Sequence, residues 1–158
     1  MSSEGTLLRT QTRLATLAQR AAHIFSVENP TTYQEIVQRV NGRSIDVLLI
    51  GIGWLRVAMV DCCVCIYPLP TRDQGVLTYV ALTPDTLIAL IEERLTLMDA
   101  FFRGDLIVQV GSAVLHVAYE YCRQIADTAR QSRRLQWVIF RFRNTLCRHT
   151  RRTDSGRE

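Results

Sequence analysis

Residues 80–119 read VALTPDTLIALIEERLTLMDAFFRGDLIVQVGSAVLHVAY, and the fold turns on this stretch. It opens in branched apolar residues, as strands do. Thr83-Pro84 then marks a helix start. The threonine oxygen can accept a first-turn N–H, and proline at the first helical position lacks a donor that would have had no partner anyway. Leu87, Leu90, Ile91 and Leu95 recur at helical spacing, with Asp85, Glu92, Glu93 and Arg94 off the stripe. Thr96 can cap a second, short helix over residues 97–103, which Gly104 stops. Leu106, Val108 and Val110 alternate along a strand that ends at Gly111, and helical spacing returns from Ser112.

Toward the N-terminus, Leu7, Leu14, Leu17, Ala21, Ile24 and Phe25 predict a helix over 6–25, with residues 1–5 frayed. A second helix follows Asn29-Pro30. Thr32 and Glu35 have the spacing of a capping box, and Gly42 closes the helix. Residues 45–50 and 54–60 are rich in branched residues and joined by Gly51-Ile52-Gly53, the pattern of a hairpin. A strand over 62–67 ends at Pro68-Leu69-Pro70, residues 71–75 form a turn, and 76–82 form another strand. Toward the C-terminus, helical spacing persists to about Arg148, broken near Gln131-Ser132, and the chain is polar from Thr150. Grouped strands and grouped helices give an α+β class: a mostly antiparallel sheet of about five strands backed by helices, with a C-terminal helical extension. Residues 1–150 read as one domain and 151–158 as a disordered tail.

Composition narrows the function classes. The chain has 158 residues, 47% hydrophobic and 22% charged, enough for a core without disulfides or metal. Its 19 basic residues are all arginine, which excludes a Schiff-base lysine and a phosphate-loop lysine. The apolar run over 47–67 is broken by Arg56 and Asp61, too soon for a membrane span. Residues 1–13 carry Glu4, Arg9 and Arg13 with no apolar core, unlike a secretory leader. Five cysteines, three of them within 62–65, make a poor disulfide framework and favour a reducing, cytoplasmic setting. From Arg123 onward ten arginines face three acids, whereas the preceding part is mildly acidic.

No catalytic constellation emerges. His23, His116 and His149 have no nucleophile at a productive spacing; His116 and Cys122 fall on different faces of one helix. Cys63 and Cys65 share one strand face and Cys62 points the other way; Cys122, Cys147 and His149 are the residues that could complete a metal site with them. Small buried apolar side chains are the simpler reading. No metal, cofactor or catalytic residue is expected.

The segment from Val80 to Tyr119 resembles the sterol carrier protein 2 family. The features that carry the likeness are the strand running into Thr83-Pro84-Asp85, then Leu87 and Leu90. They continue through Ala100-Phe101-Phe102-x-Gly104, the strand Leu106-x-Val108, Gly111 and the apolar helix beyond. The likeness covers about a quarter of the chain. It implies a sheet backed by helices around an apolar tunnel for lipids, with no catalytic machinery.

The candidate ligand-binding residues are Leu87, Leu90, Ile91, Leu95, Met98, Phe101, Phe102, Leu106, Val108 and Leu115. Mixed Met, Phe and Leu surfaces tolerate ligands of irregular shape. The same side chains would equally fill a dry core, since burying one is worth about 1.5–3 kcal/mol against either partner. The expected partner is an apolar small molecule: a lipid, sterol, acyl or polyketide-like compound. The C-terminal helix carries Leu135, Val138, Ile139, Phe142 and Leu146 on one stripe, with Arg133, Arg134, Arg141 and Arg148 elsewhere. That profile fits a packing helix with a solvated face. It also fits a surface for an anionic membrane or an acidic protein. Nucleic acid is disfavoured, for want of any known binding motif.

Overall fold

The computed structural model describes residues 2–72 and 78–155. Its elements run α1 (Ser2–Glu28), α2 (Pro30–Arg39), β1 (Ser44–Leu49), β2 (Gly53–Val60), β3 (Cys63–Leu69), β4 (Tyr79–Leu82), α3 (Pro84–Ile91), α4 (Leu97–Phe102), β5 (Leu106–Gln109), α5 (Ser112–Ala129) and α6 (Arg133–Asp154). The five strands form one sheet in the order β3-β2-β1-β4-β5. Only the β1–β4 pair is parallel; the other three are antiparallel. This is the α+β class and the mostly antiparallel five-stranded sheet expected. Among the described residues no helix is long and apolar enough to cross a membrane.

Register divides the sheet into two unlike faces. Val47 lies opposite Leu55 and Val80, Leu49 opposite Leu82, and Leu82 opposite Leu106. Their side chains point one way, because strand side chains alternate. There they meet Leu14 and Ala15 of α1, Ile88 of α3, Ala100 of α4 and Leu146 of α6 in the main core. A second cluster joins Leu17, Ala21 and Ile24 of α1 to Leu135 and Val138 of α6. A third sets Phe25, Tyr33 and Val37 against Val64. Among the described residues, the clusters that join helices to the sheet lie on this inner face.

The long first helix also closes one edge of the sheet. On the outer side of β3, the Gln19 amide donates to Val64 O at 2.9 Å, and its oxygen accepts from Ile66 N–H at 2.6 Å. Tyr33 Oη accepts from Val64 N–H at 2.9 Å. Gln11 donates to Trp54 O and, at 3.0 Å, to Leu69 O. Gln19 and, from α2, Tyr33 thus stand in for a neighbouring strand along β3, removing a template for aggregation, while Gln11 ties α1 to the paired ends of β2 and β3.

Several sequence expectations need correction. Helix α1 starts at Ser2, not after a frayed 1–5, with Glu4 in its first turn complementing the helix dipole. The Thr32–Glu35 capping box does not form. Helix α2 begins at Pro30, whose fixed φ suits a first turn, with Asn29 as N-cap and Tyr33 N–H already donating to Asn29 O at 3.0 Å. Helix α6 continues past Arg148 and Thr150 to Asp154, where Arg151 and Arg152 suit the negative end of the dipole. The turn expected over 71–75 and the strand start at 76–77 fall largely on residues outside those described, as does the end of the tail, 156–158. The break at Gln131-Ser132 is present: α5 ends at Ala129, and Ser132 caps α6 by accepting from Leu135 N–H at 3.2 Å.

Candidate ligand-binding region

Helix α3 starts as its sequence dictates, with Thr83 Oγ1 accepting from Thr86 N–H at 3.2 Å and Pro84 in the first turn. It buries Ile88 and lays Leu87, Leu90 and Ile91 half-buried against the main core. Glu93, at φ +58°, turns the chain. Thr96 then caps α4, accepting from Asp99 N–H at 3.1 Å. Helix α4 fully buries only Ala100. Gly104, at φ +77°, supplies the left-handed step that returns the chain to β5. On β5, Leu106 is buried and Val108 half-buried on the inner face, while Ile107 is exposed on the outer face.

The structure therefore separates the ten candidate residues into unlike groups. Leu106 belongs to the core, and Leu87, Leu90, Ile91, Leu95 and Val108 line its margin. Leu115 lies half-buried on α5. Met98, Phe101 and Phe102 point into solvent, with 60%, 48% and 76% of their surface exposed. Phe101 and Phe102 touch edge to face, with ring centroids 5.7 Å apart. The inner sheet face that the family likeness implied as a tunnel wall is contacted by Leu14 and Ala15 of α1 and by Leu146, Phe142 and Cys147 of α6. Two surface cavities of about 370 Å³ each lie elsewhere. One is at the Asn41–Ser44 end of the sheet and is also lined by Arg56 and Tyr67. The other is between α1 and α6. None of the ten residues borders either one.

A polar cluster escaped the sequence reading altogether. On the outer sheet face the buried carboxylate of Asp46 receives Arg56 at 2.7 and 3.1 Å and Arg72 at 3.3 Å. The Arg72 guanidinium stacks over Trp54 at 4.3 Å and Tyr79 at 5.0 Å. Arg72, just beyond β3, thus bridges to Asp46 of β1 and to the rings of β2 and β4. Burial pushes the Asp46 carboxyl up, but the two guanidinium groups more than offset this and hold it below the usual carboxylate range. The sequence did hold a signal: Asp46 is the lone acid in an apolar strand, Ile45-Asp46-Val47.

The arginines of α6 also sort by contact. Arg143 reaches Glu92 at 2.9 Å, tying α6 to the end of α3. Arg133, Arg134 and Arg148 are exposed, and Arg141 lies 4.9 Å from the Trp137 ring. Tyr121, packed edge to face on Phe25, has a buried hydroxyl with no hydrogen-bond partner among the described residues, and burial pushes its pKa up. Among the described residues no three His, Cys, Asp or Glu side chains converge as metal ligands.

No protein-family model matches the chain, and no curated protein does. Solved structures do. The solution structure of sterol carrier protein domain 2 of Helicoverpa armigera is 13% identical, covering 74% of this chain and 91% of that one, with a TM-score of 0.53. A UbiJ-SCP2 ubiquinone synthesis protein is 20% identical over 72% of this chain and 93% of that one, with a TM-score of 0.47. A possible sterol carrier protein from Thermus thermophilus is 15% identical over 72% and 85%, also with a TM-score of 0.47. At such identities the likeness is one of architecture. The superposition on the Helicoverpa domain shows that this chain has the sterol carrier protein 2 fold.

Proposed function

We propose that this chain binds an apolar small molecule, of lipid, sterol, acyl or polyketide-like character, and carries or shields it without catalysing a reaction on it. One observation carries the reading: α4 turns Met98, Phe101 and Phe102 into solvent, and α3, just before it in the chain, leaves its leucine stripe only half-buried. Leu87, Leu90, Ile91 and Leu95 touch the core. Large apolar side chains exposed together on one short helix mark a candidate binding site. Helix α4 has six residues and fully buries one alanine, so swinging it outward costs little packing. A ligand entering between α3 and α4 would exchange water for Leu90, Leu95 and the two phenylalanines. The fold it shares with a sterol carrier domain supports the reading.

Native mass spectrometry of the purified chain, followed by solvent extraction, tests it. A bound apolar compound released by extraction, and rebinding that raises the melting temperature, is the expected result. Failure to retain or rebind any acyl chain, sterol or polyketide would remove the carrier reading.

A further inference from the structure

Helices α1 and α6 lie side by side and antiparallel: Leu14 packs in the cluster that holds Leu146, and Ile24 in the one that holds Leu135 and Val138. With those residues turned inward, the helical repeat puts Arg9, Arg13 and Arg20 within a sector of roughly 40° on the flank of α1 next to α6. On α6 it puts Arg133, Arg134, Arg141, Arg148, Arg151 and Arg152 within a sector of roughly 100° away from the buried stripe. No acid falls in either sector. Among the described residues, none of Arg20, Arg133, Arg134, Arg141 and Arg148 pairs with a carboxylate.

Two aromatic side chains stand among these charges. Trp137 is 45% exposed and Phe140 51% exposed. The core stripe is complete without them. Arg20 and Arg141 flank the Trp137 ring at 5.3 and 4.9 Å. A cleft of about 370 Å³ opens between the helices, lined by Arg20, Arg133, Arg134, Trp137 and the apolar edges of Ile24 and Val138. Arg133 and Arg134 occupy the first turn of α6, where the helix dipole repels cations and favours anions. Folding alone gains nothing from two arginines there; a bound anion would offset both charges.

We propose that this two-helix ridge docks the chain onto a bilayer surface bearing anionic phospholipid headgroups, with a headgroup phosphate in the cleft and Trp137 and Phe140 at the depth of the interface. A ridge of two side-by-side helices presents an extended face: α6 alone spans about 33 Å at its helical rise. Arginines beside exposed aromatics are the pattern of an interfacial helix. Docking does not require an apolar ligand on the α3–α4 side, so delipidated protein suffices for the test.

The experiment is co-sedimentation with vesicles of phosphatidylcholine alone and of phosphatidylcholine mixed with phosphatidylglycerol. Binding to the mixed vesicles alone is expected, falling as added salt shortens the screening length. Each arginine near the surface contributes about five-fold, so Arg133→Gln with Arg134→Gln should weaken binding on the order of twenty-fold. Arg43→Gln, away from the ridge, should bind as the parent does. In a Trp54→Phe background, Trp137 fluorescence should shift to the blue on binding. Equal binding to both vesicle types, or no loss in the double variant, overturns the proposal. So does an equal loss in Arg43→Gln. Retention of duplex DNA, without vesicle binding, by protein that loses the DNA on the double substitution would assign the ridge to nucleic acid and overturn the bilayer.

Discussion

Asp46 on β1 and Arg56 on β2 face each other in register, and the arginine closes on the carboxylate with two hydrogen bonds of 2.7 and 3.1 Å. The carboxylate is 1% exposed and Arg56 24% exposed, on the sheet face that the helices leave open. Arg72, just beyond β3, adds a third bond at 3.3 Å.

This cluster makes stability depend on acid. The folded Asp46 carboxyl titrates below its ordinary value. Its contribution is therefore complete above the unfolded value of about 3.9 and is lost as pH falls through the lower folded value. Asp46→Asn should remove that acid-sensitive component. At neutral pH it should cost somewhat less than the roughly 3–5 kcal/mol of a fully buried pair broken from one side, because Arg56 and Arg72 keep some contact with water. Urea unfolding of both proteins from pH 7 down to pH 3 measures both effects.

Phe102 and Leu90 should separate binding from stability. Phe102 stands in solvent, so Phe102→Ala should change stability by no more than about 0.5 kcal/mol while weakening apolar-ligand binding. Leu90 is half-buried against the core, and Leu90→Ala should weaken binding and cost stability below the roughly 2–5 kcal/mol of a fully buried leucine. Arg148→Ala should leave ligand binding unchanged. Ligand titration followed by fluorescence, alongside thermal melts, reads all three.

Leu146 is fully buried in the main core although it belongs to the basic last helix. Leu146→Ala should cost about 2–5 kcal/mol by urea unfolding. Truncation after Arg130 would strip Leu135, Val138 and Leu146 from Leu14 and Ile24. The product should lose the cooperative thermal transition seen by circular dichroism. A truncated chain that melted like the parent would show α6 to be an appendage.

Gly53 starts β2 at φ +143°, and a Cβ there would stand 3.0 Å from the Gln11 side chain that holds Trp54 O and Leu69 O. Gly53→Ala combines backbone strain with displacement of that glutamine. A loss of about 1–3 kcal/mol from the strain alone is expected in thermal melts.

Local signals were the most legible. Thr83 and Thr96 cap α3 and α4 as their spacing required, because a cap depends only on residues within one turn. The Thr32–Glu35 box misled for the same local reason: Pro30 offered a competing start two residues earlier, and it prevailed. The candidate site was legible as a list of apolar residues but not as an arrangement. Periodicity shows that Leu90 and Phe102 belong to apolar faces; it does not show that one meets the core and the other meets water.

By itself the sequence determined the order of elements, the α+β class and the inward stripes of the two long helices α1 and α6, because propensity, capping and periodicity act over a few residues. Tertiary structure alone decided that α1 and α6 cover the inner sheet face and that Gln19 completes the β3 edge. It alone brought Asp46 to Arg56 and Arg72, and the arginines of two distant helices onto one ridge. Each of these rests on contacts between residues far apart in the chain, set by how whole faces pack to exclude water, and no local pattern encodes that choice.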